Sequence, residues 1–161
     1  MDLMLKNYLE RAQNELTIAA SLKKLSEDMG AKKLFKINDA DTFYSAVISH
    51  SYYAIFYAAK AILLTKGIKT TSPEIHKNTF ESFKREFVDT GILDVKLLEI
   101  YKKIVIRADA LLEIFKDEKW KRGQFTYNSI PQANKEPADD SINNSKIFVT
   151  NIMKVLEKND S

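Results

Sequence analysis

The sequence predicts an all-α fold, and three observations carry that prediction. Glycine (4) and proline (3) are scarce among 161 residues, too few for the tight turns that sandwiches and barrels place between strands. No segment alternates apolar and polar residues over a strand's length. Apolar residues instead recur at spacings of three and four in five separate segments, as they do on the buried face of a helix.

The first helix spans residues 2–29. Leu5, Tyr8, Leu9, Ala12, Leu16, Ala19, Ala20, Leu22 and Leu25 recur at helical spacing, and Lys6, Glu10, Arg11, Glu15, Lys23 and Lys24 fill the gaps. Gly30 stands where a glycine past the last turn would end it. In the linker 31–38, Leu34, Phe35 and Ile37 are expected to fold back as a small apolar cluster. A second helix begins at Asp39 or Asp41, either of which can cap it, and stops at Gly67. This segment is nearly apolar all round, so it should be the central, most buried helix. Small residues (Ser49, Ser51, Ala54, Ala58, Ala61) alternate there with Phe43, Tyr44, Tyr52, Tyr53, Phe56 and Tyr57. Such rings could form a stacking platform for bases, but core packing is the preferred reading.

Residues 69–78 (KTTSPEIHKN) form a loop in which Ser72–Pro73 opens a third helix. That helix covers 74–90, buries Ile75, Phe80, Phe83, Phe87 and Val88, and ends at Gly91. The fourth runs from about Asp94 to Lys121 with Leu97, Leu98, Tyr101, Ile104, Val105, Ala108, Leu111, Leu112 and Phe115 as its apolar stripe. A polar loop with two prolines covers 128–140. The last helix, about 138–158, buries Ile142, Ile147, Phe148, Ile152, Met153 and Leu156. There is no internal repeat, so residues 1–161 form one domain.

Composition removes several function classes. The chain has no cysteine, which excludes disulfides, iron–sulfur clusters, thiolate zinc sites and cysteine nucleophiles. Its two histidines, His50 and His76, lie far apart in sequence with no cluster of acids beside them, so neither a metal site nor a cofactor is expected. The net charge of +3 is compatible with nucleic acid but does not indicate it alone. The apolar run Ala54–Leu64 is interrupted by Lys60 and is too short to span a bilayer. The N-terminus, MDLMLKNYLE, carries acids and lacks the apolar stretch of a signal peptide. A cytoplasmic protein that makes no use of a membrane is the expectation.

Few constellations carry chemistry. The four glycines are isolated, so no phosphate-cradling loop is present, and there is no G-x-S-x-G. Asp139–Asp140 and Glu27–Asp28 sit at element ends, where carboxylates cap helices or face solvent. His50, flanked by Ser49 and Ser51 on an apolar helix, reads as a hydrogen-bonded core residue rather than an acid or base. His76, in the first turn of the third helix, reads as a loop anchor. The segment 119–127 (KWKRGQFTY) interleaves Lys119, Lys121 and Arg122 with Trp120, Phe125 and Tyr127. Charge to neutralise phosphates beside rings to stack on bases is what a nucleic-acid surface requires. A basic helix C-terminus complementing the helix dipole, with Trp120 in the core, fits the same residues equally well.

The run SHSYYAIFYAAKAILLTKG, residues 49–67, resembles the second helix of HEPN domains (higher-eukaryote and prokaryote nucleotide-binding domains), above all their small stand-alone prokaryotic branch. Thr70–Thr71, His76, Phe80 or Phe83, Phe87–Val88 and Gly91 follow in that family's order. Arg122 to Tyr127 and the closing SKIFVTNIMKVL are similar to its later stretches, so the resemblance covers almost the whole chain. It implies an up-and-down bundle of four or five helices, commonly a homodimer, associated with nucleotide or RNA binding. Many small members work with a minimal nucleotidyltransferase in toxin–antitoxin pairs. Nuclease members carry Arg, then four to six residues, then His.

Here the pattern departs. No histidine follows Arg122, none lies four to six residues after Arg107, and Thr126 replaces the Asp usual before the tyrosine. Metal-independent RNA cleavage needs a proton acceptor and donor near neutral pH, a role for which tyrosine, with a pKa of about 10, is poorly suited. The resemblance therefore implies a binding module or nucleotidyltransferase partner, engaging its ligand through Lys119, Lys121, Arg122 and Tyr127, rather than an enzyme. Tyr127 is expected to be partly exposed, where it could accept a nucleotide from the partner. The alternative is a ribonuclease that recruits His50 or His76 from elsewhere in the fold, with Arg107 as a further candidate. A third reading is a protein-interaction module whose basic segment is merely solvated.

Overall fold

A computed structural model describes residues 1–125 and 133–161 of the chain. These residues form α1 (Leu3–Glu27), α2 (Met29–Leu34), α3 (Tyr44–Leu64), α4 (Ile75–Phe83), α5 (Val95–Leu112), α6 (Glu118–Gln124) and α7 (Lys135–Asp160). A π-helical turn, Lys84–Val88, continues α4. No strand occurs among the described residues. Four long helices and α4 make the bundle, with α2 and α6 as short additions.

The apolar character of α3 is explained by its position. It packs against α1, α7, α5 and α4, and Val47, Tyr52, Ala54, Ile55, Ala58, Ala61 and Ile62 are wholly buried. Alanines along α3 let its neighbours approach closely, and rings fill the spaces between them. By length and composition α3 could cross a membrane, but 67% of its apolar window is buried inside the bundle. Tyr53 and Tyr57 differ from the other α3 rings in being only partly buried.

Several boundaries depart from the periodicity. The first helix stops at Glu27 because Asp28 turns extended and its carboxylate accepts the Ala31 N–H at 2.8 Å, capping α2. Gly30 therefore lies inside a helix and does not end one. Leu34 and Phe35 do not fold back. They are 76% and 64% exposed and edge a shallow groove of about 470 Å³ with Leu25 and Ala31. The linker is instead closed by Lys32, which is 1% exposed and donates to the Asn38, Asp39 and Asp41 carbonyls. Their backbone is thereby committed to Lys32, and neither aspartate caps α3. That helix starts later, at Tyr44, where Ser26 Oγ accepts the Phe43 N–H at 2.8 Å.

The third helix begins at Ile75 rather than beside Pro73, and it widens into the π turn before Gly91. Gly91 adopts a left-handed φ of 76°, which lets the chain turn and bury Leu93. The fourth predicted helix is two helices. Asp94 caps α5 by accepting the Lys96 N–H at 2.8 Å, and Glu113 ends it in the left-handed region at φ 51°. The last helix starts three residues earlier than expected, and Ile147 faces outward at 49% exposure while Ile142, Phe148, Ile152 and Leu156 are buried.

Candidate functional site

The break between α5 and α6 sets the frame of the basic segment. Asp109 accepts the Phe115 N–H at 3.0 Å, which folds the chain back after α5 and seats Phe115 in the core. Asp117 then caps α6 by accepting the Trp120 N–H at 3.0 Å. Phe115 and Trp120 stack with centroids 5.8 Å apart, and Trp120 meets Phe80 and Phe125 edge-on. The Lys77 ammonium lies 5.6 Å from the Trp120 ring and pairs with Asp117 at 3.0 Å. This short helix is thus anchored by its aromatic side, and its basic residues diverge in role.

Lys121 points inward. Its side chain is 10% exposed, and its ammonium pairs with Asp109 at 2.9 Å and Glu118 at 2.8 Å. Burial alone would pull this ammonium down, but the bonds to Glu118 and Asp109 outweigh it and leave it above the ordinary lysine value. A lysine so engaged ties α6 to α5. Lys119 and Arg122 are exposed, three residues apart on one face of the helix. Arg122 Nε donates to the Glu118 carbonyl at 3.4 Å, leaving the rest of its guanidinium toward solvent. Tyr127 lies outside the described residues.

The two histidines take other partners. His76 Nδ1 is 2.7 Å from the Tyr52 hydroxyl, and the imidazole lies against Phe56 (4.6 Å) and Phe115 (5.9 Å). Burial, helped by the nearby Lys60 charge, pushes its pKa down to about 4, so it is neutral at pH 7. A base so weak is poorly matched to proton transfer near neutrality. His50 Nδ1 pairs with Glu15 at 2.5 Å, joining α3 to α1, and both side chains are partly exposed. Neither imidazole bonds to Arg122 or Arg107. Arg107 is held at the start of α7 by Asp140 at 2.7 Å, Ser141 Oγ at 3.1 Å and the Pro137 carbonyl at 3.4 Å. Burial would raise the Asp140 carboxyl, but hydrogen bonds from Lys103 and Arg107 hold it below its ordinary value. No group of three or more metal-ligating side chains occurs among the described residues.

A further cluster escaped the sequence reading. Tyr8 on α1 meets Tyr57 and Lys60 on α3, Arg11 lies over Tyr57, and Tyr53 continues the ring contacts from Tyr57 to His76 at 6.0 Å. The signal was present as helical spacing on both segments. It was masked because the same α3 run carries the buried rings Tyr52 and Phe56.

Comparison with known proteins extends these observations. The HEPN domain family matches residues 8–155. A Methanocaldococcus jannaschii protein named as a candidate toxin is 38% identical over 81 residues, 47% of this chain and 53% of that protein, so the match spans about half the relative's length. A second candidate toxin of the same organism is 29% identical over 141 residues, 88% of this chain and 90% of its own. A Thermotoga maritima UPF0332 protein is 28% identical over 112 residues, 70% of this chain and 72% of its own. No solved structure matches the chain.

Proposed function

The chain belongs to the HEPN domain family, and from that premise we propose that it is the binding module of a toxin–antitoxin-type pair, engaging nucleotide or RNA, or a nucleotidyltransferase partner, without cutting RNA. The toxin naming of two relatives supports the system class. The observation that carries the binding reading is α6: a helix anchored by Trp120 and Lys121 that holds Lys119 and Arg122 out to solvent. Two cations on a fixed frame suit phosphate oxygens, and Arg adds a planar fork of donors. A homodimer would double this surface and suits a polyanionic strand. Cleavage is disfavoured because Arg122 has no histidine partner in sequence or in contact, and because His76 is neutral at pH 7.

Binding of a labelled single-stranded RNA oligonucleotide, with the strand's length monitored in the same samples, tests the proposal. The RNA stays intact, its affinity falls steeply between about 50 mM and about 200 mM salt as phosphate contacts demand, and Arg122→Ala weakens it. Clean cleavage abolished by Arg122→Ala overturns the reading. One observation favours the ribonuclease alternative: Glu15 holds His50 by Nδ1, and Nε2 has no hydrogen-bond partner among the described residues. That alternative requires cleavage by the wild type and its loss in His50→Ala.

A further inference from the structure

Two cations on the α1–α3 face have no carboxylate partner among the described residues. Arg11 lies over Tyr57, its guanidinium carbon 4.1 Å from the ring centroid, and donates to the Tyr57 hydroxyl at 2.5 Å. The Lys60 ammonium sits 4.9 Å from the centre of the Tyr8 ring and 5.6 Å from that of Phe56, with a long bond to the Thr70 carbonyl at 3.4 Å. Tyr8 and Tyr57 stack with centroids 6.2 Å apart, so both cations sit on one ring pair. Lys23, Lys77, Arg107 and Lys135, by contrast, each have a carboxylate oxygen 2.7–3.0 Å away. Glu15, one turn along α1 from Arg11, is taken up by His50. The rings therefore fix two positive charges in place without neutralising them.

The face also carries aromatic surface that the core does not use. Tyr8 and Tyr53 are partly exposed, and their hydroxyls make no hydrogen bond among the described residues. Tyr53 stacks on Tyr57 at 6.2 Å and 29° and is met edge-on by Tyr52 and His76. Arg11 already covers Tyr57, which leaves Tyr53 as the ring able to receive a flat ligand. We propose that this face is a nucleoside-phosphate site, with the phosphate held by Arg11 and Lys60 and the base laid against Tyr53. A phosphate accepts from both the guanidinium fork and the ammonium, and every base offers a π-face for stacking. The ligand is a mononucleotide or one unit of single-stranded RNA. The site lies apart from α6, shares only its ligand chemistry with the reading above, and does not depend on Arg122.

Titration calorimetry of the full chain with three probes tests it: inorganic phosphate, adenosine 5′-monophosphate and a single-stranded ribo-oligonucleotide. Either nucleotide probe should bind more tightly than phosphate. Lys60→Gln and Tyr53→Ala should each weaken that binding by about tenfold, and Tyr53→Phe should retain it. Binding of the mononucleotide assigns a free-ligand site, and binding of the oligonucleotide alone assigns an RNA site. Lys60→Gln and Arg11→Gln alter exposed or half-exposed charges outside the core, so a thermal melt matching the wild type separates lost binding from lost folding. Binding that survives both Lys60→Gln and Tyr53→Ala but fails in Arg122→Ala refutes this site and supports α6 instead. Absence of binding to any nucleotide probe refutes both. Conversion of a dimer to a monomer by Tyr53→Asp, with no change in nucleotide affinity, assigns the face to a second copy of the chain and also refutes the site.

Discussion

His76 makes the stability of this protein depend on pH in a window set by one imidazole. Folding places it against Phe56, Phe115 and the Tyr52 hydroxyl, and burial takes its pKa from 6.5 to about 4. The folded state therefore refuses a proton that the unfolded chain accepts. Stability from this group is fully present above about pH 6.5, falls as the pH drops, and is exhausted once the pH passes about 4. At about 1.4 kcal/mol per pH unit, the ceiling is about 3 kcal/mol. His76 is partly exposed, and discounting for solvent screening leaves about 1–2 kcal/mol. Carboxylates with lowered pKa, such as Asp139 and Asp140, also lose stability in acid, so the measurement must be a difference. Urea unfolding of wild type and His76→Gln at about pH 7 and about pH 4.5 gives it, with the wild type losing more by about 1–2 kcal/mol. Equal losses in the two proteins, or a His76 imidazole that titrates near 6.5 by nuclear magnetic resonance, would refute the argument.

Other perturbations probe the frame. Lys121→Ala should destabilise by about 3 kcal/mol because it removes the ammonium that pairs with the buried Asp109 carboxylate, whereas Arg122→Ala should change unfolding by no more than about 0.5 kcal/mol; denaturant titration compares the two. Lys32→Met, which strips the donor from three loop carbonyls, should cost about 2 kcal/mol and increase amide exchange over residues 38–43. Ile147→Lys, on an exposed face of α7, should leave the melting temperature within a few degrees of the wild type, about 0.5 kcal/mol. A large loss there would reveal a partner or second copy covering that face.

The order of helices and the central place of α3 were legible because its apolar run is too long and too continuous for any surface helix. The breaks were less legible, since each depends on a tertiary partner. Asp28 and Gly30 are both plausible stops, and only the bond from Ala31 to the Asp28 carboxylate decides between them. The apolar stripe of the fourth predicted helix runs on through Phe115, so periodicity alone gave no sign that Asp109 would capture the Phe115 N–H and split it. Ile147 fits the stripe of the last helix by spacing but lies beyond the arc that α3 and α1 cover. In the candidate site, composition singled out 119–122, yet it could not separate Lys121, drawn inward by Asp109, from Lys119 and Arg122. Arg11 and Lys60 were invisible as a pair, because nothing in sequence brings residues on α1 and α3 together before the helices pack.

Binding without cleavage depends on an exposed Arg122. A single assay reaches it: labelled single-stranded RNA incubated with wild type and Arg122→Ala at about 50 mM and about 200 mM salt, read for both bound fraction and strand length. The prediction is intact RNA throughout, binding by the wild type that drops steeply with salt, and weaker binding by the variant at low salt. Shortened RNA that Arg122→Ala restores to full length, or no binding even at low salt, would contradict it.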